Sequence, residues 1–83
     1  MSNIYEPGYK IFVECLRDLR AQSRMTQQEL AASLNCPQSY ISKYEQGQKR
    51  LDIVEIRRIC TVLGVSLTEF ASEYETRLKE GGL

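Results

Sequence analysis

The sequence contains no histidine, which removes the commonest general base and the commonest zinc ligand. Its three cysteines, Cys15, Cys36 and Cys60, are an odd number with no CxxC spacing. Neither a disulfide framework nor a metal site is therefore expected. Cys15 and Cys60 read as reduced thiols packed as small hydrophobes. Cys36 falls in a predicted turn, where an exposed thiol would be open to redox chemistry. No nucleophile–base pair and no glycine-rich phosphate loop is visible, so the chain reads as a non-enzyme without a cofactor. No apolar run is long enough to span a bilayer, and no basic, hydrophobic, small-residue leader opens the chain. The expectation is a soluble cytoplasmic protein with no membrane partner. No segment sustains period-two alternation, so no sheet is expected.

What is present is a chain of 83 residues with 42% hydrophobic content and no low-complexity tract. That length makes one domain with a small core, modestly stable unless helped by dimerisation. Net charge is zero, but the distribution is uneven. From Tyr9 to Arg50, seven cations (Lys10, Arg17, Arg20, Arg24, Lys43, Lys49, Arg50) face four anions (Glu14, Asp18, Glu29, Glu45). From Leu51 onward, six anions outnumber four cations. A neutral molecule polarised in this way can still present a positive face to phosphates.

Residues 1–8, ending in Pro7 and Gly8, read as an arm, residues 9–80 as the folded domain, and residues 81–83 as a disordered tail. Phe12, Cys15, Leu16 and Leu19 recur at helical spacing and predict a helix from about Tyr9 to Ser23. Thr26 and Glu29 have the spacing of a capping box, which opens a short helix from about Gln27 to Leu34. Asn35 tolerates the left-handed conformation that ends helices, and Pro37 pushes Cys36 into extended backbone. A third helix runs from about Gln38 to Gln46 and is closed by Gly47. Asp52 with Glu55 opens a fourth, whose apolar stripe is Ile53, Ile56, Ile59, Cys60 and Leu63. Ser66 with Glu69 opens a fifth, with Phe70, Tyr74 and Leu78 on one face. That last stripe is the first candidate for a dimer surface, against the alternative that Phe70 and Tyr74 pack into the chain's own core.

Two short helices joined by a tight turn and braced by others form a helix-turn-helix. Such a unit needs a second helix with one side for docking and one for the major groove. With Ile41 facing the core at zero, Lys43 falls at about 200° and Ser39 at about 160°. Ser42 and Gln46 lie on one shoulder, Tyr40 on the other, and Glu45 lies close to Ile41. Lys43 suits the acceptors of guanine, Gln38 suits adenine or a neighbouring phosphate, and Ser39 and Ser42 are small and adaptable. The wheel alone leaves this edge equally readable as the solvated face of any surface helix.

Three stretches together resemble the Xre/Cro-type family of phage repressors and bacterial regulators: Met25 to Leu34 (MTQQELAASL), Gln38 to Gly47 (QSYISKYEQG) and Val62 to Ser66 (VLGVS). The resemblance covers roughly Leu16 to Phe70. It implies an all-α, five-helix repressor-like domain that binds operator DNA, usually as a symmetric dimer. Position by position, it implies that Gln38, Ser39, Ser42 and Lys43 face bases. Gln27 matches a phosphate contact that also braces Gln38. The amides around Gln46 and Gly47, with Lys49 and Arg50, match a second phosphate clamp, and Arg24 and Tyr40 are further phosphate candidates. Arg20 and Glu45 match a pair that ties the first helix to the reading helix. The wheel agrees, because a carboxylate on the inner side of a helix requires a partner. The sequence departs from the family pattern at Asn35, where a turn glycine is usual, at Leu51, where proline is frequent, and at Cys60, where alanine is common.

The function implied is sequence-specific duplex DNA binding and transcriptional regulation, in the direction of repression, by a homodimer. No attached sensor domain is visible, so no small-molecule effector is implied. The competing reading is a protein-interaction module such as the antitoxin of a toxin–antitoxin pair, since one fold serves both.

Overall fold

A computed structural model describes residues 6–83. The described residues form five helices and no strand: α1 Pro7–Gln22, α2 Gln27–Leu34, α3 Gln38–Glu45, α4 Ile53–Val62 and α5 Leu67–Glu80. Three starts are encoded locally. Thr26, Asp52 and Ser66 each accept a hydrogen bond from the amide three residues on, at 3.0, 2.8 and 3.0 Å. Glu29, Glu55 and Glu69 each accept one in return from the cap amide, at 2.9 Å in all three boxes. Each box satisfies two amides that the helix itself leaves unpaired and places a carboxylate at the positive helix end.

The turn between α2 and α3 is built as the sequence suggests. Asn35 is left-handed (φ 56°), and the Cys36 amide donates back to the Ala31 carbonyl at 3.0 Å. Pro37 is extended and becomes the N-cap of α3. Arg58 of α4 reaches the Leu34 carbonyl at 3.3 Å and so occupies an acceptor at the end of α2. Arg24 is also left-handed, with φ 57°. Nothing in the sequence marks it, because it is neither glycine nor asparagine.

The core joins α1 to α4 through Leu16, Leu30, Ile41, Tyr44, Ile59 and Cys60, each under 2% exposed, and α5 adds Phe70. Full burial of an aliphatic side chain of this size stabilises by about 1.5–3 kcal/mol. A second layer is aromatic. The Phe12 ring packs edge-on against Phe70 (5.9 Å) and Tyr74 (6.0 Å). The Tyr74 hydroxyl donates to the Gly8 carbonyl at 3.0 Å.

These contacts correct four expectations. Pro7 and Gly8 belong to α1, not to an arm, since Pro7 supplies the preset φ of a first helical position. A Cβ on Gly8 would lie only 3.1 Å from a Glu6 carboxylate oxygen and 3.6 Å from the Tyr74 hydroxyl. Gly81–Leu83 close onto α5, with the Leu83 amide donating to the Leu78 carbonyl at 2.9 Å, so they are a closing turn and not a disordered tail. Of the Phe70, Tyr74 and Leu78 stripe, Phe70 is buried and Tyr74 packs edge-on against Phe12, so these two serve the chain's own core, while Tyr74 and Leu78 are half-buried. Ile53 is 65% exposed and lies outside the core stripe that α4 otherwise follows.

The Tyr44 phenol is 1% exposed, and its oxygen has no hydrogen-bond partner among the described residues. Burial pushes its pKa well above the usual phenol range. An unpaired buried hydroxyl costs about 1–3 kcal/mol. Tyr44→Phe is therefore expected to leave the melting temperature unchanged or to raise it. A clear loss of stability by calorimetry would show that the hydroxyl has a partner.

Candidate nucleic-acid interface

Every side chain assigned to reading lies on the accessible side of α3. Gln38, Ser39 and Lys43 are exposed and Ser42 is half-buried, while Ile41, Tyr44 and Glu45 are buried beneath them. Gln46 Nε2 donates to Ser42 Oγ at 3.2 Å, which orients two polar side chains along one shoulder.

A polar chain holds that edge in place. Arg20 of α1 meets Glu45 of α3 in a bidentate pair, Nε to Oε2 at 2.6 Å and Nη2 to Oε1 at 2.9 Å. The third guanidinium contact is Nη1 to the Met25 carbonyl at 2.9 Å, in the connection to α2. The two side chains are 15% and 4% exposed. Hydrogen bonding to Glu45 raises the Arg20 pKa above its ordinary value, so the guanidinium stays charged. Gln27 Nε2 donates to the same Glu45 Oε1 at 3.0 Å, and Gln27 Oε1 accepts from Gln38 Nε2 at 3.4 Å. The sequence-assigned brace of Gln38 by Gln27 is thus present, and it reaches back to the ion pair.

The basic loop after α3 rests on two tyrosines. The Lys49 ammonium lies 5.5 Å from the Tyr40 ring centre, and the Arg50 guanidinium lies 4.9 Å from that of Tyr9. The Tyr9 hydroxyl also donates to the Lys49 carbonyl at 3.3 Å. Cations over aromatic faces keep their charge while their stems are immobilised. Neither Tyr9 nor Glu55 was singled out as a site residue from the sequence. The only signal was an aromatic residue at the start of the first helix.

Two assigned phosphate contacts change role. Tyr40 donates its hydroxyl proton to Glu55 Oε2 at 2.7 Å, so that proton is not available to a phosphate. Burial first, and then this bond, push the phenol above its usual range. The Asp52 amide and the Tyr40 phenol hold the Glu55 carboxyl below the usual carboxylate range. Tyr40 therefore anchors α3 to α4. The amides of Gln46 and Gly47 are also committed, to the Ser42 and Tyr44 carbonyls at 3.0 Å each, with Gly47 left-handed at φ 75° to make the turn. Those amides close the helix, and only the exposed Gln46 side chain remains to face outward. Arg24 is exposed in the turn before α2.

Cys15 and Cys60 are buried and Cys36 is half-buried, and burial raises all three thiols, which disfavours the reactive thiolate. No helix of the described residues is long and apolar enough to cross a membrane.

A short capped helix, a tight turn and a second helix with an exposed polar edge define a helix-turn-helix unit. A family model described as "Helix-turn-helix domain" matches residues 11–72. A solved XRE-family like protein from Pseudomonas syringae pv. tomato str. DC3000 superposes with a TM-score of 0.81 at 34% identity, covering 89% of this chain and 90% of that one. The chain belongs to the helix-turn-helix domain family, in its Xre/Cro-type branch. It is also 36% identical over 63 residues to the HTH-type transcriptional regulator RamB of Mycobacterium tuberculosis. That match takes in 76% of this chain but only 13% of RamB. The restriction-modification controller protein C.Esp1396I, solved as a tetramer with its natural 35 base-pair operator, superposes with a TM-score of 0.74 at 27% identity, covering 81% and 88% of the two chains.

Truncating Glu45 strands a buried guanidinium and releases Gln27. Glu45→Ala should therefore lower stability by about 3 kcal/mol, a fall in melting temperature of about 12–24 °C for a domain of this size. An unaltered thermal transition would show that Arg20 and Glu45 are uncoupled.

Proposed function

We propose that this protein is a cytoplasmic regulator of transcription that binds duplex DNA sequence-specifically as a homodimer and represses by occupying its operator. The observation that carries the reading is the exposed edge of Gln38, Ser39, Ser42 and Lys43, held outward by the Arg20–Glu45–Gln27–Gln38 chain. In the major groove, Lys43 suits guanine O6 and N7 and Gln38 suits adenine, while the serines accept several bases. Gln27, Arg24, the Gln46 side chain, Lys49 and Arg50 contact phosphates and set register. Tyr40 and Gly47 support those contacts from behind.

Membership of a regulator family, with relatives that include a controller bound to operator DNA as a tetramer, supports DNA as the partner and assembly as the mode. A two-fold arrangement would place two reading helices in half-sites about 34 Å apart. The mechanism is binding without catalysis.

Selection of bound sequences from a random duplex library tests the whole reading, since it returns half-site and spacing together. A binding constant on random duplex that does not change between two salt concentrations would remove the phosphate clamp and with it the proposal. Lys43→Ala should relax base preference at one position and cost about 1–3 kcal/mol in the specific complex. An unchanged selected sequence would remove Lys43 from the reading set. Arg50→Ala should weaken binding to all sequences alike and lower the salt slope by about one. A change in base preference instead would show that Arg50 reads sequence.

A further inference from the structure

Lys10 and Arg17 are exposed on α1, and neither forms an ion pair among the described residues. Two turns of helix separate them, so they share one face, with Glu14 between them. That face looks onto the end of α3. Lys10, Glu14 and Arg17 line one side of an open hollow of about 300 Å³, and Glu45, Gln46 and Gly47 line the other. Neither cation takes part in the core or in the polar chain that holds α3.

Most of the acceptors around the hollow are already answered. The Glu45 carboxylate is held by Arg20 and Gln27. The Ser42, Tyr44 and Lys43 carbonyls, at the negative end of α3, accept from the amides of Gln46 and Gly47 at 3.0 Å and of Gln48 at 2.8 Å. What remains is two cations, the Glu14 carboxylate and the Gln46 side chain, whose Nε2 rests on Ser42 Oγ. The balance is positive, so the surface suits an anion. Lys10 and Arg17 start about 10 Å apart along the axis of α1. A single small anion would meet only one of them, whereas one strand of a duplex carries about three phosphates over that length.

The hollow also runs into surfaces already assigned to DNA. Tyr9, next to Lys10, carries Arg50 over its ring and donates to the Lys49 carbonyl. Arg17 stands one turn before Arg20, whose pair with Glu45 holds Gln27. Gln46, exposed on the outer shoulder of the reading helix, forms the wall between the two.

We propose that this edge of α1 is a further contact with the DNA backbone, in which Lys10 and Arg17 meet separate phosphates of the strand that passes the end of α3, while Glu14 between them lowers the affinity. The proposal rests on the DNA-binding reading above and adds α1 to its contact surface.

The test is titration of the full chain with random duplex at several salt concentrations. Lys10→Ala and Arg17→Ala should each lower the slope of log K against log salt by about one and leave the sequence selected from a random library unchanged. Lys10→Arg should keep the native slope, and Glu14→Gln should tighten binding at low salt. Arg57→Ala, an equal loss of charge on the exposed face of α4, should also keep the native slope. Both α1 positions are exposed, so circular dichroism should not change. A native slope in either α1 alanine variant overturns the contact. An equal fall in Arg57→Ala overturns it too, because the response would then be to net charge alone. If the native chain itself binds without salt dependence, the DNA reading fails and takes this contact with it. If the native slope is present and Arg50→Ala lowers it while Lys10→Ala and Arg17→Ala do not, the α1 contact fails alone.

Discussion

Everything presented to the outside by α3 depends on a buried charge pair. Glu45 lies on the inner side of a helix that must keep its outer side free, and a carboxylate in that position is tolerable only if its charge is answered. Arg20 answers it with two hydrogen bonds from a neighbouring helix and uses a third donor on the Met25 carbonyl. One guanidinium therefore fixes the spacing of α1, the connection to α2 and the roll of α3 about its axis. Gln27 and Gln38 extend the constraint to the helix start, where an amide must be oriented before it can discriminate between acceptors. The planar fork of arginine is what makes this possible, since a lysine could not meet both oxygens and the carbonyl in one geometry.

Helix starts were legible because they are written in four-residue signals. Thr26 with Glu29, Asp52 with Glu55 and Ser66 with Glu69 form the bonds that their spacing suggests. The ion pair was legible too, since wheel position and charge pointed to the same conclusion. What could not be read were contacts between distant parts of the chain. Gly8 has the local look of a breaker, yet it sits in α1 because Tyr74, from the far end of the sequence, needs its carbonyl. Ile53 continues an apolar period but begins its helix beyond the edge of the core, and periodicity cannot say where the core stops. The roles of Tyr9 and Tyr40 beneath the basic loop depend on how α1 and α4 approach that loop, which no spacing reveals.

The loop illustrates how a neutral protein can be locally cationic. Lys49 and Arg50 stand over the rings of Tyr40 and Tyr9, which hold their stems at one edge of the molecule. Glu55, the nearest anion of the following helix, is occupied with the Asp52 amide and the Tyr40 phenol. Such placement keeps the net charge at zero and avoids the self-repulsion of a strongly basic chain, while leaving one edge attractive to a polyanion.

One consequence concerns the order in which the molecule acquires structure. Unlike α2, α4 and α5, the eight-residue α3 has no side chain capping its start, and its first residue follows a proline. Two turns without a cap cannot persist alone in water. The helix therefore exists only as a product of docking on Ile41, Tyr44 and Glu45, and its amides should exchange with solvent as that docking opens. Damage to the interior should therefore reach the exterior, because the outer face of α3 is placed by Ile41, Tyr44 and Glu45 beneath it.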